Sequence, residues 1–313
     1  MSKKTDTAEK YAVGSWKQPT VWQRMKKNKT SYLMMAPYLI LFFIFTVVPV
    51  VASLILSFTY FNMLEWPSWR GLENYQQLIL EDEVFVIAVK NTLIFAFLTG
   101  PISYVLCFVF AWFINELPNK VRPIMTLIFY APSLSGSVFV IWGTIFSADA
   151  YGYVNAFLMQ WGLISEPIKW LTDPKYNFAV IILIELWLSL GTSFLSFVAG
   201  FRNVSAELYE AGAIDGVKNR FQELFCITVP SMKPQMMFGA VMQIAASFAI
   251  GNVGMVLSGF PSTNYSVHTI TAHIRDYGSV RYEMGYAAAI SFMLTVVMIL
   301  TKNVITKLLN PDD

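Results

Sequence analysis

Six long runs of apolar residues, separated by shorter polar segments, account for most of the chain. Each run approaches the roughly 20 residues that a helix needs to cross the hydrocarbon core of a bilayer. The runs predict transmembrane helices over residues 33–61, 91–115, 123–147, 177–200, 236–257 and 284–308. The last apolar run is short, and we expect its helix to continue past Lys302, because a lysine can extend its charge to the membrane surface. The pattern predicts an all-α, polytopic membrane protein with six spans.

Two segments outside the long runs carry further expectations. Residues 1–29 are polar and basic, which predicts a flexible or surface-lying cytoplasmic tail, with a dedicated partner site as the alternative. Residues 151–165 are uncharged but too short to cross a bilayer, so we expect a helix at the outer interface or packed over the bundle. The first apolar run is much longer than the apolar core of a signal peptide, which indicates a retained span. Residues 30–309 then form one membrane domain.

The composition supports a membrane protein and excludes an ordinary soluble domain. Hydrophobic residues make up 56% of the 313 residues and charged residues 13%, against roughly 25% charged residues in soluble domains. An even number of spans places both termini on one side of the membrane. If that side is the cytoplasm, only six of the 22 basic residues lie outside, as the positive-inside rule predicts. The six are Arg70, Lys90, Lys169, Lys175, Arg275 and Arg281.

The connection between the fourth and fifth runs, residues 205–234, has the pattern of a helical hairpin. Ser205 can cap a helix, and Glu207 in the following turn interacts favourably with the positive end of the helix dipole. Gly216 is the residue type that commonly ends a helix and permits a tight turn. A first short helix is therefore predicted between Ser205 and Gly216.

The second half of the hairpin has its own helix signals. Asn219 and Gln222 have the spacing of a capping box, and we expect Pro230 and Pro234 to end this helix before the fifth span. Three apolar side chains are predicted to share one face: Phe221, Leu224 and Phe225. A cytoplasmic hairpin with an apolar face suits a partner protein, although the pattern also fits a loop packed against its own bundle.

The hairpin sequence resembles the EAA motif of permeases in bacterial and archaeal binding-protein-dependent ABC importers. The run from Glu207 to Gly216, followed by Ile227-Thr-Val229-Pro230, keeps the motif's spacing of Glu-Ala-Ala, a glycine and Ile-x-Leu-Pro. Gly212 stands in place of the second alanine and Val229 in place of the leucine. The resemblance implies that one set of residues couples the chain to an ATPase: Glu207, Glu210, Ala211, Gly212, Ala213, Asp215, Gly216 and Pro230.

Further motifs are similar to the carbohydrate-uptake branch of these permeases, which includes maltose and multiple-sugar permeases. They are spread along nearly the whole chain: Tyr32-Leu-x-x-Ala36-Pro37-Tyr38, Asn74-Tyr75, Asn91-Thr92, Trp170-Leu171 and Gly285-Tyr286-Ala287. One departure is Ser258-Gly-Phe-Pro261, where these permeases usually have Thr-x-Gly-Gly-Pro. Since that turn is predicted on the outer side, the departure concerns the docking of the binding protein.

The resemblance implies a core of the type I importer fold within a larger assembly. The expected partners are a second homologous permease, two ATP-binding subunits and an extracytoplasmic solute-binding protein, in a bacterial or archaeal cytoplasmic membrane. ATP and Mg²⁺ are expected on the partner ATPase, because this chain has no Gly-x-x-x-x-Gly-Lys-[Ser/Thr] run. We expect no cofactor, metal, nucleic-acid partner or catalytic residue here, and a path for a sugar or oligosaccharide.

Polar side chains within the predicted spans are candidates for the substrate path. Glu185 is the first of them, because an acidic residue inside a span is costly and usually functional. Ser189 and Thr192 follow at about one-turn intervals and would share its face. A second set is expected on roughly one side of the fifth span: Gln243, Ser247 and Asn252. The alternative is that these groups only hold helices together through hydrogen bonds.

Other functional classes explain the chain less well. A secondary transporter or channel would predict inverted repeats or matching broken helices, and it gives no reason for the hairpin. An ABC permease for a non-sugar solute would share the hairpin and stays an alternative. An intramembrane enzyme would need clustered catalytic groups in the spans. His268 and His273 lack the spacing of a helical metal site, and we expect them to be solvated or structural.

Overall fold

The computed structural model describes residues 26, 28–136 and 138–309, the side chains of residues 308 and 309 excepted. The tail predicted over residues 1–29 lies almost wholly outside this range. The chain divides into two compact units, Met1–Ala52 and Ser53–Asp313.

The first helix, α1, spans Lys29–Leu56 and contains a π-helical turn at Phe43–Val47. None of its residues up to Ala52 is buried, and they are apolar around the whole circumference. A helix that is apolar on all sides is suited to lipid rather than to water. It ends before the predicted boundary at residue 61, because the chain there turns into a short β-hairpin.

The remaining elements are almost all helical. Their bounds in chain order are β1 Thr59–Tyr60, β2 Ser68–Trp69, α2 Glu73–Leu80, α3 Glu83–Asn115, α4 Arg122–Leu134, α5 Val138–Ile145, α6 Tyr153–Gln160, α7 Asn177–Leu188, α8 Thr192–Asn203, α9 Ala206–Ile214, α10 Arg220–Glu223, α11 Lys233–Phe248, α12 Asn252–Leu257, α13 Ile270–Arg275 and α14 Met284–Leu309. π-Helical turns extend α10 over Leu224–Thr228 and α13 over Asp276–Val280, and Val229–Ser231 forms a last helical turn before α11.

The two short strands are an exception to the all-helical prediction. They pair antiparallel, with Thr59 opposite Trp69. Buried Asn74 donates hydrogen bonds from Nδ2 to the carbonyls of Ser57 and Thr59, both at 2.9 Å. Gly285, at the start of α14, lies so close to the carbonyl of Thr59 that a Cβ there would collide with it. The β-hairpin formed by β1 and β2 is therefore held between α2 and α14.

The central helix of the second unit is α3, which packs against α7, α8, α11 and α13. It begins before the predicted boundary at residue 91, because Asp82 caps it by accepting the N–H of Phe85 at 2.8 Å. Its 33 residues exceed the roughly 20 that cross a bilayer. It contributes to three buried apolar clusters, through Ala88 near its start, Phe95 near its middle and Ala111 near its end.

The third predicted span, residues 123–147, is not a continuous helix. α4 and α5 are bent by 83° relative to each other. The bend follows the end of α4, where Ser135 adopts an extended conformation three residues after Pro132. The described chain has five helices long and apolar enough to cross a membrane, or six if this bent pair is one span.

The fourth and fifth predicted spans are interrupted as well. The helix stops between α7 and α8 and again between α11 and α12, and a glycine precedes each restart, Gly191 and Gly251. A Cβ at Gly251 would lie 2.7 Å from Oγ1 of Thr269, so this close approach requires glycine. Each pair still forms one long apolar stretch, Asn177–Asn203 and Lys233–Leu257. The described chain is therefore a mostly helical, multi-pass membrane protein.

Candidate coupling hairpin and substrate path

The first hairpin helix, α9, begins and ends as the sequence predicts. Oγ of Ser205 accepts the N–H of Glu207 at 3.3 Å. At the other end Gly216 has φ +93°, and the N–H of Val217 donates to the carbonyl of Gly212 at 2.9 Å. This is a Schellman motif, which satisfies the last carbonyls of the helix and reverses the chain.

The second hairpin helix differs from its prediction in two details. Oδ1 of Asn219 accepts the N–H of Gln222 at 2.8 Å, but Oε1 of Gln222 accepts the N–H of Lys218 instead of completing the capping box. The helix also continues past Pro230 to Ser231. Pro230 lies in the first turn of the segment that follows the π-helical turn, where the missing N–H of a proline costs no helical hydrogen bond.

The two hairpin helices pack closely against each other. Gly212 is buried, and a Cβ there would lie 2.5 Å from Cδ1 of Ile227, which accounts for a glycine at this position. Beside this contact the hydroxyls of Tyr209 and Thr228 are 2.8 Å apart. The hairpin is thus one body rather than two loosely connected helices.

The outward surface of the hairpin carries both acidic and apolar groups. Most of the predicted coupling residues are exposed: Glu207, Glu210, Ala211, Ala213, Asp215, Gly216 and Pro230. The apolar side chains Ile214, Phe221 and Phe225 are 88%, 63% and 66% exposed. Leu224 is 4% exposed instead, so only part of the apolar face predicted for it together with Phe221 and Phe225 is open to a partner.

The candidates of the fourth span do not lie on one uninterrupted helical face. Glu185 in α7 is half-buried and forms no ion pair among the described residues. Ser189 follows the end of α7, where its Oγ donates to the carbonyl of Leu186 at 2.6 Å. Thr192 is exposed as the first residue of α8. Because the helix is interrupted between α7 and α8, these three residues do not share the face that a continuous helix would give them.

The candidates of the fifth span fall on two different sides. Gln243 and Ser247 are buried where α11 meets α3, and a Cβ at Gly100 would lie 3.3 Å from Oγ of Ser247. They border a largely apolar cavity of 470 Å³ between α3, α11 and α14. Asn252 is exposed at the start of α12, which packs against α7. Asn252 and Glu185 thus lie on two helices that pack against each other, α12 and α7. Gln243 and Ser247 lie elsewhere, against α3.

A polar network near the start of α3 was not predicted from the sequence. His268 and His273 were predicted to be solvated or structural. They are 3% and 1% exposed, which excludes solvated side chains and agrees with a structural role. His273 hydrogen-bonds Asp82, while Asn91 donates from Nδ2 to the carbonyls of Tyr265 and His268, both at 2.9 Å. The sequence near Asp82 indicates only its role as a helix cap. Its hydrogen-bond partner His273 is distant in the chain, so no local pattern could predict that contact.

Similarity to known proteins extends over most of the chain. The probable ABC transporter permease protein YesP of Bacillus subtilis (strain 168) is 31% identical over 279 residues, which cover 87% of this chain and 88% of that protein. The arabinooligosaccharides transport system permease protein AraP of the same organism is 28% identical over 310 residues, covering 98% and 97% of the two chains.

Similarity also extends to a solved structure. A chain of a bacterial ABC transporter involved in the import of the acidic polysaccharide alginate superposes with a TM-score of 0.71 and 25% identity, covering 92% of this chain and 99% of that one. No family model matches the chain. On the identity and coverage shared with YesP, this chain belongs to the permease proteins of ABC transporters.

Proposed function

We propose that this permease forms part of the translocation path of an ATP-driven importer for a sugar or oligosaccharide. The arabinooligosaccharide permease and the alginate importer support carbohydrate as the cargo. In this proposal two partner subunits bind and hydrolyse ATP with Mg²⁺, a second homologous permease completes the path, and an extracytoplasmic binding protein delivers the cargo. The chain itself contributes no nucleotide site.

The observation that carries the proposal is the form of the hairpin. Its two helices pack closely at Gly212, and Gly216 determines its turn. The exposed apolar side chain of Ile214 lies at the tip, beside the exposed carboxylate of Asp215. A rigid projection with an apolar anchor and nearby acidic groups suits a cleft that offers apolar contacts and hydrogen-bond donors. We assign that cleft to the ATP-binding subunit.

The proposed path follows the interrupted helices α7–α8 and α11–α12. Each interruption leaves backbone N–H and C=O groups without helical partners, and these can hydrogen-bond sugar hydroxyls. Glu185, Thr192 and Asn252 lie at or near the interruptions and are at least partly exposed. ATP on one side and the loaded binding protein on the other would favour different arrangements of the two permeases, which is a two-state coupling.

The proposal includes a membrane topology. Counting α4 and α5 as one broken span gives six spans, so both termini lie on the same side. We place that side, with the hairpin, in the cytoplasm of a bacterium or archaeon, because the basic residues are concentrated there.

Uptake by a reconstituted complex tests the proposal. The chain is purified in mild detergent with its co-purifying subunits and placed in proteoliposomes with the binding protein. We expect oligosaccharide uptake that requires ATP and persists when an ionophore collapses the proton gradient. Uptake without ATP that depends on the proton gradient would indicate a secondary transporter. ATP-dependent uptake of a non-sugar solute alone would reject carbohydrate as the cargo.

A further inference from the structure

The C-terminal end of α3 lies directly against the second helix of the hairpin. The rings of Trp112 and Phe221 are 5.4 Å apart between centroids, at an interplanar angle of 66°. Directly after the end of α3, Oε2 of Glu116 is 3.6 Å from Nε of Arg220. The same guanidinium contacts Oε2 of Glu223 through Nη1 at 2.6 Å. Arg220 therefore lies between the carboxylate that follows α3 and a carboxylate of its own helix.

The contact continues into the apolar core. Leu224 of the hairpin is 4% exposed and belongs to the same buried cluster as Ala111 and Ile114 of α3 and Phe201 of α8. Close-packed side chains transmit a displacement from one helix to the next, because they have little free volume to absorb it. The hairpin is thus attached to the bundle by its core as well as by its chain connections to α8 and α11.

A polar cavity of 270 Å³ adjoins the ion pair. Its lining includes residues at the end of α3, Phe201 of α8 and residues of both halves of the hairpin, among them Trp112, Asn115, Glu116, Tyr209, Arg220 and Thr228. Polar groups beside such a space can exchange partners at small cost, unlike groups in a dry, close-packed interior. The contact therefore combines a rigid apolar part with a polar part that has room to rearrange.

The end of α3 is in turn bound to α4. Arg122, the first residue of α4, donates from one guanidinium nitrogen to the carbonyls of Asn115 and Leu117, at 2.6 and 3.1 Å. A cation at this place satisfies the unpaired carbonyls and complements the negative end of the helix dipole. A displacement of the end of α3 therefore reaches the start of α4.

We propose that Trp112 and Glu116 are positioning residues through which movement of the hairpin is transmitted to α3 and α4. The proposal rests on the proposed function, in which the hairpin is seated on an ATP-binding subunit. Movement of the hairpin would then reach the bundle by two routes. One is the chain connections to α8 and α11, and the other is this contact, which leads to the bent helix pair α4–α5.

The ion pair is a suitable probe because it contributes little to stability. Side chains of Arg220 and Glu116 are 67% and 42% exposed, and exposed ion pairs have small effects on folding. Its loss should leave the protein folded while removing the link between the two helices. Glu223 supplies the matched control, since E223Q removes only the partner of Arg220 within the hairpin.

The test measures substrate-stimulated ATPase activity and sugar uptake in the reconstituted complex. We expect E116R to reduce uptake per ATP hydrolysed by about threefold to tenfold, the range expected for coupling residues outside a ligand site. The charge-swapped pair E116R/R220E should recover most of the coupling in an E223Q background, which avoids repulsion between Glu223 and the new carboxylate. E223Q alone should stay close to the wild type. W112A should also lower uptake per ATP, and W112F should preserve it by retaining a ring against Phe221.

Three results would overturn the proposal. The first is a charge swap that restores no coupling, and the second is an E223Q variant as impaired as E116R. The third is a parallel loss of uptake, ATPase activity and melting temperature in E116R, which would indicate a purely structural contact. A wild-type complex without ATP-dependent uptake would contradict the proposed function itself, and the transmission route with it.

Discussion

Nε2 of His273 lies 2.9 Å from Oδ2 of Asp82, although 191 positions separate the two residues in the chain. The hydroxyl of Tyr286 donates to the same oxygen at 2.8 Å. On its other side, Nδ1 of His273 is 3.2 Å from Nε2 of His268. Asp82, His273 and His268 thus form one continuous hydrogen-bonded network. It joins the start of α3 to α13 and α14.

Asp82→Asn should destabilise the protein. Burial by itself raises the pKa of Asp82, but hydrogen bonds from His273, the Phe85 N–H and Tyr286 outweigh it and hold the pKa well below its ordinary value. The carboxylate is therefore ionised in the folded protein, and the amide would bring an N–H towards a donor. We expect a loss of about 2–4 kcal/mol in the free energy of unfolding, measured by denaturant titration in detergent. Glu81→Gln, at the exposed neighbouring position, is the control and should be nearly neutral.

Stability should fall as the pH is lowered from about 6.5 to about 4, because of His268. Its burial, followed by the charge of His273, lowers its pKa from 6.5 to about 4, while Asp276, Asp82 and Arg281 have smaller and partly opposing effects. Between these values the unfolded chain binds a proton that the folded chain does not. Stability therefore rises with pH across this window.

The measurement is a pH series of melting temperatures on the purified permease. The loss at pH 4 relative to pH 7 should be on the order of 3 kcal/mol, at about 1.4 kcal/mol for each pKa unit. His268→Gln should be less stable at pH 7 but should show a flatter pH dependence. An equally steep dependence in His268→Gln would assign the effect to other groups.

Gly216→Ala should weaken coupling to the ATPase. Gly216 has φ +93°, a conformation that costs a residue with a Cβ about 1–2 kcal/mol. The strain would loosen the Schellman turn and the orientation of Ile214. We expect a severalfold decrease in substrate-stimulated ATPase activity and complete loss in Gly216→Pro, with the protein still inserted.

Gly162→Ala is the matched control for this turn. Gly162 has φ +68° and open space around its Cβ position, but it lies after α6 and outside the hairpin. The same backbone strain there should leave the stimulated ATPase activity unchanged. Equal losses in both variants would mean that the effect of Gly216→Ala is general destabilisation.

Glu185→Gln should reduce sugar uptake by about tenfold or more, since a carboxylate kept within a span is usually functional. The variant keeps the volume and one acceptor but removes the ionisable carboxyl group. Transport and basal ATPase activity are measured in proteoliposomes. Asn252→Leu should also impair uptake, whereas Gln243→Leu, which faces the apolar cavity beside α3, should change it little. The reverse ranking would place the path on the α3 side of α11.

Local signals predicted much of the coupling hairpin. The caps at Ser205 and Asn219 and the turn at Gly216 depend on hydrogen bonds that reach two to five residues along the chain, so the sequence contains all the information needed. The burial of Leu224 was not predictable in the same way. It depends on contact with α3, which is more than a hundred positions away in the chain.

By itself the sequence determined the membrane setting, the approximate positions of the apolar helices and the resemblance to ABC permeases. Hydropathy and caps suffice for this, because a span must satisfy its backbone within one segment. Only the tertiary structure decided where the helices break, that Gln243 and Ser247 lie apart from Asn252, and that Asp82 meets His273. These features depend on which distant side chains approach each other, as Thr269 approaches Gly251, and no local periodicity records such pairings.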